Sequence, residues 1–237
     1  MTKTILTAAL LMFPALASAA IGKVVVLEGK GTRTPEGAAA IELKVGTEIE
    51  LKDTLKVTGG NLKFELNDGS QIALADKSEL FIDDAKFEGQ DCTSFLGTLK
   101  TGSLWTKVKH LLGGAKYEVK TDRAVAGVRG TIFRIDADTL IKAAKGRHAT
   151  IVRVTEGVVR VNPSKSTAAT MKGAPAAKPG ERKEVAGPTE ISADQWEAQF
   201  VELAKGQDFA VGDDLWTKAE LDKAQKNDAF QKWLDKK

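Results

Sequence analysis

Residues 62–74 have the sequence LKFELNDGSQIAL, in which apolar and polar side chains alternate on both sides of Asp68 and Gly69. Alternation with a period of two places the apolar side chains on one face of a strand. The Asp-Gly pair favours a tight turn between two antiparallel strands, and Ile72 and Leu74 continue the apolar face after it. The segment therefore predicts a β-hairpin with one buried face.

The same period of two recurs along much of the chain, with turn residues about every 8 to 12 positions, as in all-β domains. Further strands are indicated at residues 24–27, 117–121, 152–154 and 159–161. The Glu156-Gly157 pair between the last two would form either a hairpin turn or a corner. Between Ile21 and Val161 no helical repeat with caps alternates with these strands, so a βαβ enzyme fold is not expected. The sequence predicts an all-β core.

The composition is that of a folded, globular protein. The chain has 237 residues, of which 42% are hydrophobic, enough for one sizeable domain with an appendage. Its 35 Lys and Arg residues nearly balance 32 Asp and Glu residues, and the net charge of +3 is too small for a dedicated nucleic-acid binder. Cys92 is the only cysteine, so an intramolecular disulfide is excluded and the core must supply the stability.

The first residues have the pattern of a secretory signal. Lys3 precedes an apolar run over residues 5–16, and an Ala-Ser-Ala cleavage site ends at Ala19. Pro14 ends the apolar run before the about 20 residues that a membrane span needs, and no later stretch is apolar enough to span a bilayer. We therefore expect a signal peptide over residues 1–19 and an exported protein, periplasmic or secreted, without an integral membrane span.

The composition changes twice after the predicted strands. Residues 162–180 are rich in Pro, Ser, Thr, Ala and Lys and lack periodicity, which predicts a mobile insertion. We expect it to lie within a β-domain over residues 20–189. A tail of two amphipathic helices is expected over residues 190–237.

The predicted tail carries aromatic residues at helical spacing. Ser192 and Gln195 have the spacing of a capping box, which would place Trp196, Phe200 and the following leucine on one face of a first helix. A second helix, opened at Thr217, would carry Phe230, Trp233 and Leu234. The tail has 11 acidic residues against 7 basic ones, whereas the preceding domain is basic. It could therefore pack on its own domain or bind a partner.

One glycine-rich segment stands out as a candidate interaction site. Gly127 and Gly130 bracket Arg129, and Thr131 leads into an apolar strand. Glycines would let a partner approach the backbone while the arginine offers a forked donor to a carboxylate. The alternative is a tight turn at the entry of a strand, with Arg129 satisfying internal groups.

Trp105 is a further candidate interaction residue because Lys107 and Lys109 follow it on the same predicted strand. It could equally be a core tryptophan at the margin of the sheet. The candidate interaction residues are Gly127, Arg129, Gly130, Thr131, Trp105, Trp196, Phe200 and Trp233.

No residue is assigned a catalytic, metal-binding or cofactor-binding role. His110 and His148 lie in no zinc-binding motif, and no nucleophile signature surrounds Cys92. Asp83 and Asp84 lack the pattern of a calcium loop. A hydrolase that uses Cys92 or a carboxylate pair is kept as a third hypothesis. Cys92 is interpreted first as a structural thiol.

Several segments together resemble the FecR-type domain, named after the ferric citrate transport regulator. The resemblance covers about residues 21–187, with the order and spacing of the family. It consists of FELNDGSQI at 64–72, LKTGSL at 99–104, VKT at 119–121, AVAGVRGTIF at 124–133, VTEGVVRV at 154–161 and KPGE at 178–181.

The resemblance implies a bacterial envelope protein without enzymatic activity, whose all-β fold is a short-strand β-sandwich or a solenoid-like β-roll. Family members that regulate iron uptake pass a signal from an outer-membrane receptor to a sigma factor through an anti-sigma segment and a membrane span. We recognise neither segment in this sequence, so that mechanism is not carried over.

The first functional hypothesis is therefore a protein-interaction module for signalling or scaffolding, with another envelope protein as its partner. The alternative is binding of a cell-wall polysaccharide or a small ligand, for which an exposed aromatic platform is the expected feature. No cofactor and no nucleic acid are expected, and the oligomeric state is left open.

Overall fold

The computed structural model describes residues 19–109, 113–128, 130–141, 147–164, 167, 200–212, 215–219, 221 and 226–236. The predicted signal peptide lies almost entirely outside this range. The described residues form sixteen strands and a helix: β1(Ala20–Thr34), β2(Ile41–Glu42), β3(Glu48–Glu50), β4(Thr54–Leu66), β5(Gln71–Leu74), β6(Glu79–Glu88), β7(Asp91–Thr101), β8(Ser103–Lys107), β9(Lys116–Lys120), β10(Ala124–Val128), β11(Ile132–Ile141), β12(Arg147–Glu156), β13(Val158–Pro163), β14(Val201–Ala204), β15(Asp208–Gly212), β16(Leu215–Lys218) and α1(Ala229–Leu234).

The predicted hairpin is confirmed as β4 and β5. Leu62 pairs with Leu74 and Phe64 with Ile72 in an antiparallel register, and all four side chains are buried. At the turn, the Asp68 carboxylate accepts hydrogen bonds from the backbone and side chain of the residue two positions on. Aspartate commonly forms this local bond, which fixes the turn and with it the register of the two strands.

The strands form a single curled sheet. Residues 54–56 of β4 pair with β6, whereas residues 62–65 of the same strand pair with β5. Half A contains β6, β7, β9, β10, β13 and β14, and half B contains β5, β8, β11, β12, β15 and β16. β1 pairs along the whole of β4 and so spans both halves.

The core contains the inward side chains of both halves. Tyr117 of half A is fully buried, stacks on Phe95 with ring centroids 4.6 Å apart, and hydrogen-bonds Thr106 of half B over 2.9 Å. Phe133 and Val154 of half B belong to the same buried cluster. The all-β core with a C-terminal helix, expected from the sequence, is thus confirmed as a curled sheet.

Two of the connections between the halves, β10–β11 and β12–β13, are corners that lie close together. β10 lies in half A and β11 in half B, and β12 and β13 are likewise in different halves. The Glu156-Gly157 segment is therefore a corner and not a hairpin. A side chain at Gly157 would lie 3.0 Å from the Gly130 oxygen, and the Thr131 hydroxyl donates to the Val158 carbonyl over 3.0 Å. The two corners thus pack against each other.

The C-terminal elements differ from the sequence prediction. Residues 201–204, predicted as helix, form β14 on the edge of half A, and residues 215–218, predicted to open the second helix, form β16. Both helix predictions are wrong at these positions. The edge strands β13 and β12 offer unpaired backbone groups that β14 and β15 satisfy, and such tertiary pairing overrides a short helical pattern.

The predicted linker also begins later than residue 162. Asn162 pairs with Val125 and belongs to β13, and the Ser164 backbone donates to the Arg123 carbonyl. Most of the remainder of the predicted insertion lies outside the described residues. The second predicted helix is present as the short α1, which begins after its N-cap, Asp228.

Candidate functional site

A row of side chains crosses the outer face of half B. Each member is the direct cross-strand neighbour of the next, from β4 to β15, so that their side chains share one face. We call this set the outer row; it consists of Lys63, Ala73, Trp105, Arg134, Arg153 and Asp208. Three of these six residues are cationic, although the face is partly buried.

The helix α1 lies on the outer row. Phe230 and Trp233 are 5% and 7% exposed and pack with Ala73 and Trp105. The Lys63 ammonium lies 5.6 Å from the ring centroids of both Trp105 and Trp233, between two tryptophans that are 128 positions apart in sequence. Aromatic rings attract a cation placed over their faces. The C-terminal segment therefore packs in cis on its own domain.

A buried ionic network anchors the start of α1. Arg134 contacts Asp136 through Nε at 2.7 Å and Asp228 through both terminal nitrogens at 2.9 and 2.5 Å. Arg153 contacts the other oxygen of Asp136 at 2.8 Å. Asp228 also accepts a hydrogen bond from the Gln231 backbone N–H, as an N-cap does. One carboxylate therefore fixes both the arginine and the first turn of the helix.

The electrostatics of this network favour its charged form. Burial by itself lowers the pKa of Arg134, but the hydrogen bonds and charges of Asp228 and Asp136 outweigh it, and the pKa lies above the usual value. Burial likewise raises the pKa of Asp228, but Arg134, the Gln231 N–H and Arg153 outweigh it and lower the pKa. Both groups are thus held ionised at neutral pH.

Among the described residues, the outer face of half A is more exposed than that of half B. Glu118, Gly127, Arg160 and Glu202 are direct cross-strand neighbours on it, and Arg160 pairs with Glu202 over 2.9 Å while both side chains are 55% exposed. Phe200 lies under the Arg160 guanidinium at 4.1 Å from ring centroid to charge centre. We call this surface the open face.

The candidate glycine segment divides between the open face and a corner. A side chain at Gly127 would meet its first neighbours, the Arg160 carbonyl and the Glu118 side chain, only at 3.9 and 4.0 Å, so no close backbone approach requires a glycine. Gly130 has a φ of 64°, which favours glycine, and Thr131 is buried. Gly130 and Thr131 therefore support the interpretation as a strand-entry turn.

The remaining candidate residues fall into three groups. Trp105 and Trp233 are brought together around Lys63, and Phe200 joins the open face through Arg160, the cross-strand neighbour of Gly127. Arg129 and Trp196 lie outside the described residues. The described candidate interaction residues therefore lie in more than one place, with Trp105 and Trp233 at the contact between α1 and the outer row and Gly127 and Phe200 on the open face.

The sequence analysis missed the ionic part of the outer row. Arg134 and Asp136 alternate with buried apolar residues on β11, which predicts an ordinary solvated face. Asp228, the second carboxylate that contacts Arg134, is 94 positions away from it in the sequence, and no local pattern connects the two residues. Two charged residues of opposite sign on one strand face were the only available signal.

Cys92 lies beside a pocket of about 480 Å³ that is also lined by Glu88, Asp91, Thr93 and residues 113–115. Its thiol donates to the Ser94 carbonyl over 3.5 Å, and the side chain is buried. Burial, together with nearby carboxylates, raises the pKa of this thiol to about 12. Since the thiolate is the nucleophile, the geometry favours a structural role for Cys92.

The described ranges contain neither a cluster of metal-binding side chains nor a helix that could span a membrane. No three His, Cys, Asp or Glu side chains there lie close enough to hold a metal ion. His148 contacts Asp138 at 3.2 Å on the surface, and His110 is outside these ranges. None of the helices in the same ranges is long and apolar enough to cross a membrane.

Two of three comparisons with known proteins found matches to the chain. The FecR family, described as "FecR protein", matches residues 53–160. Two crystal structures, at 1.65 and 2.50 Å resolution, of a protein described as a "putative anti-sigma factor from Parabacteroides distasonis ATCC 8503" align with 15% identity over 76% of this chain, with TM-scores of 0.46 and 0.47. The alignments span 64% and 63% of those chains. A comparison with curated proteins found no match.

Residues 53–160 are a FecR domain, as the motifs in the sequence indicated. The matched range contains the β4–β5 hairpin and both corners. It also contains Lys63, Trp105, Arg134 and Arg153 of the outer row. The strands β14 to β16 and α1 lie outside it, as do Phe200, Asp228 and Trp233.

Proposed function

We propose that this chain is an exported, non-enzymatic protein of the bacterial envelope that binds another protein as a signalling or scaffolding module. The observation that carries the proposal is the FecR domain at residues 53–160. The resemblance to FecR regulators implies a role in signalling, and such a role requires contacts with other proteins.

The open face is the surface on this domain that best fits such a contact. It presents carboxylates and a guanidinium in one row across neighbouring strands. Its ion pair between Arg160 and Glu202 is exposed and contributes about 0 to 1 kcal/mol, so a partner can replace either member at little cost. Charged groups placed in this way give specificity and speed association.

Photo-crosslinking in the native envelope tests this function. The full chain, including residues 1–19, would carry benzoylphenylalanine at Gly127 on the open face, and at the exposed Val45 as the control. We expect a stoichiometric protein adduct at position 127 and none at position 45. Loss of the adduct on charge reversal of Arg160 would assign the contact to this face.

Two outcomes would contradict the proposal. Recovery of glycan without protein at position 127 would favour the wall-polysaccharide alternative, and the absence of any adduct would remove this face as a protein-binding surface. Export is measured in the same cells by fractionation and by sequencing the N-terminus. The expected mature protein begins at Ala20, and retention of residues 1–19 in the cytoplasm would overturn the proposed location.

A further inference from the structure

We propose that the outer row of half B is a second docking site, which takes from a partner protein a short helical segment with a carboxylate at its start and two aromatic residues, and that α1 occupies this site until the partner displaces it. The inference rests on the proposed protein-interaction function and names the chemistry of the partner. The chemistry of the partner is inferred from the side chains with which α1 covers the outer row.

The outer row requires an anion from its cover. Arg134 is held by two carboxylates, that of Asp136 on its own strand and that of Asp228 at the start of α1. Arg134 is only 4% exposed, and its second carboxylate, Asp228, comes from outside the FecR domain. A buried guanidinium that loses one partner is strongly destabilised, so whatever covers the row must supply a carboxylate at this point.

The outer row also selects aromatic side chains. Lys63 and Trp105 form one side of a cation–aromatic stack, and Trp233 completes it from α1. Phe230 lies over the Arg134 guanidinium at 5.0 Å. The cover therefore has an acidic residue at the N-cap of a short helix, and aromatic residues at the second and fifth positions after that acidic residue.

The attachment of α1 is suited to displacement. The helix has six residues, well below the about 12 to 15 that an isolated helix needs for stability, so its order depends on docking. The Trp233 indole N–H is buried and has no hydrogen-bond acceptor among the described residues. An unsatisfied buried donor weakens the docked state, and a partner helix that places an acceptor there would bind more favourably.

Covalent linkage sets the competition between α1 and a partner. Because α1 belongs to the same chain, its effective concentration at the outer row is high. The apparent affinity of a partner for the intact chain is therefore its intrinsic affinity multiplied by the fraction of molecules in which α1 is undocked. Weakening α1 without changing the row is expected to expose the site.

A peptide with the sequence of α1 and its flanks tests the site. The probe is a fluorescein-labelled peptide of residues 226–236, KNDAFQKWLDK, measured by fluorescence anisotropy against the full chain and against its F230A/W233A variant. We expect the variant to bind the peptide about tenfold or more tightly than the unmodified chain does. Replacing the aspartate that corresponds to Asp228 by Asn in the peptide should weaken binding by a similar factor.

Matched substitutions locate the binding. Arg134→Gln in the opened variant should abolish peptide binding, whereas Arg160→Gln on the open face should leave it unchanged. No binding to the opened variant, or equal binding with Arg134→Gln, would overturn the proposal. If the opened variant does not fold, hydrogen exchange of the unmodified chain decides the question. Amides of residues 229–236 should then exchange about 100-fold faster than those of β11, and equal rates would refute displacement.

Failure of this inference can be distinguished from failure of the proposed function. Crosslinking at Gly127 reports on the open face and does not depend on α1. A protein adduct there, combined with no peptide binding at the outer row, would leave the proposed function intact and remove only the second site.

Discussion

Each of the two outer faces of the sheet carries an arginine, a carboxylate and a phenylalanine in contact, but the two sets differ in their exposure to water. In half B, Arg134 contacts Asp228 and lies over Phe230; in half A, Arg160 contacts Glu202 and lies over Phe200. On both faces the phenylalanine and the carboxylate lie outside the FecR domain.

The difference between the two faces is burial. The Arg134 side chain is 5% exposed and the Arg160 side chain 55%. Water screens the exposed pair and leaves it a small net effect, whereas the buried pair can be broken only at the cost of an uncompensated charge. The same type of contact therefore joins the C-terminal segment to its own domain on one face and remains exposed to water on the other.

Removing the arginine from each face should produce the largest contrast. We expect Arg134→Gln to lower the free energy of unfolding by about 3 to 4 kcal/mol, because Asp228, whose side chain is 33% exposed, loses its arginine and Asp136 keeps only Arg153. Arg160→Gln should lower it by about 1 kcal/mol or less. Urea denaturation followed by far-UV circular dichroism measures both. Equal losses for the two variants would refute the distinction between a covered and an open face.

Removing one aromatic residue from each face should give a smaller contrast. Trp233→Ala leaves a cavity over Lys63 and Trp105 and should cost about 3 kcal/mol, near the lower end for a buried tryptophan. Phe200→Ala on the open face should cost less than about 1 kcal/mol. The same denaturation experiment applies, and a neutral Trp233→Ala variant would show that α1 is not docked in solution.

Acid should weaken only the covered face, with the smallest effect of the three. The pKa of Asp228 is lowered in the folded state, so its contribution is complete above the ordinary aspartate pKa of about 3.9 and is lost as the pH falls through the folded value. Arg134 and Arg153 are the cations that face it.

The pKa of Asp208, on the same face, is shifted in the opposite direction from that of Asp228. Burial raises its pKa despite Lys226 and Arg153, with Asp136 adding to the rise, so protonation of Asp208 on acidification favours the folded state first. Tryptophan fluorescence against pH should therefore show α1 retained through mild acid and released below about pH 4. The Asp228→Asn variant should lack the release, and Asp208→Asn should lack the earlier stabilisation. Release that is unchanged in Asp228→Asn would contradict this assignment.

The β4–β5 hairpin and the strand at Tyr117 could be predicted from local patterns. The alternation around Phe64, the Asp68-Gly69 turn and the strand at Tyr117 all appear as expected, because each depends on neighbours within a few residues. The edge strands could not be predicted in this way. Leu203 fits a helical face as well as a strand, and only pairing with Val159 decides between them.

The sequence by itself determined the all-β core and the FecR domain, since strand alternation and turn chemistry are local properties of the chain. Tertiary structure alone decided that Arg134, Asp136 and Asp228 form one largely buried network, and that Arg160 and Glu202 form an exposed pair. Burial of an ion pair depends on which distant segment covers it, and the cover of the outer row comes from the far end of the chain.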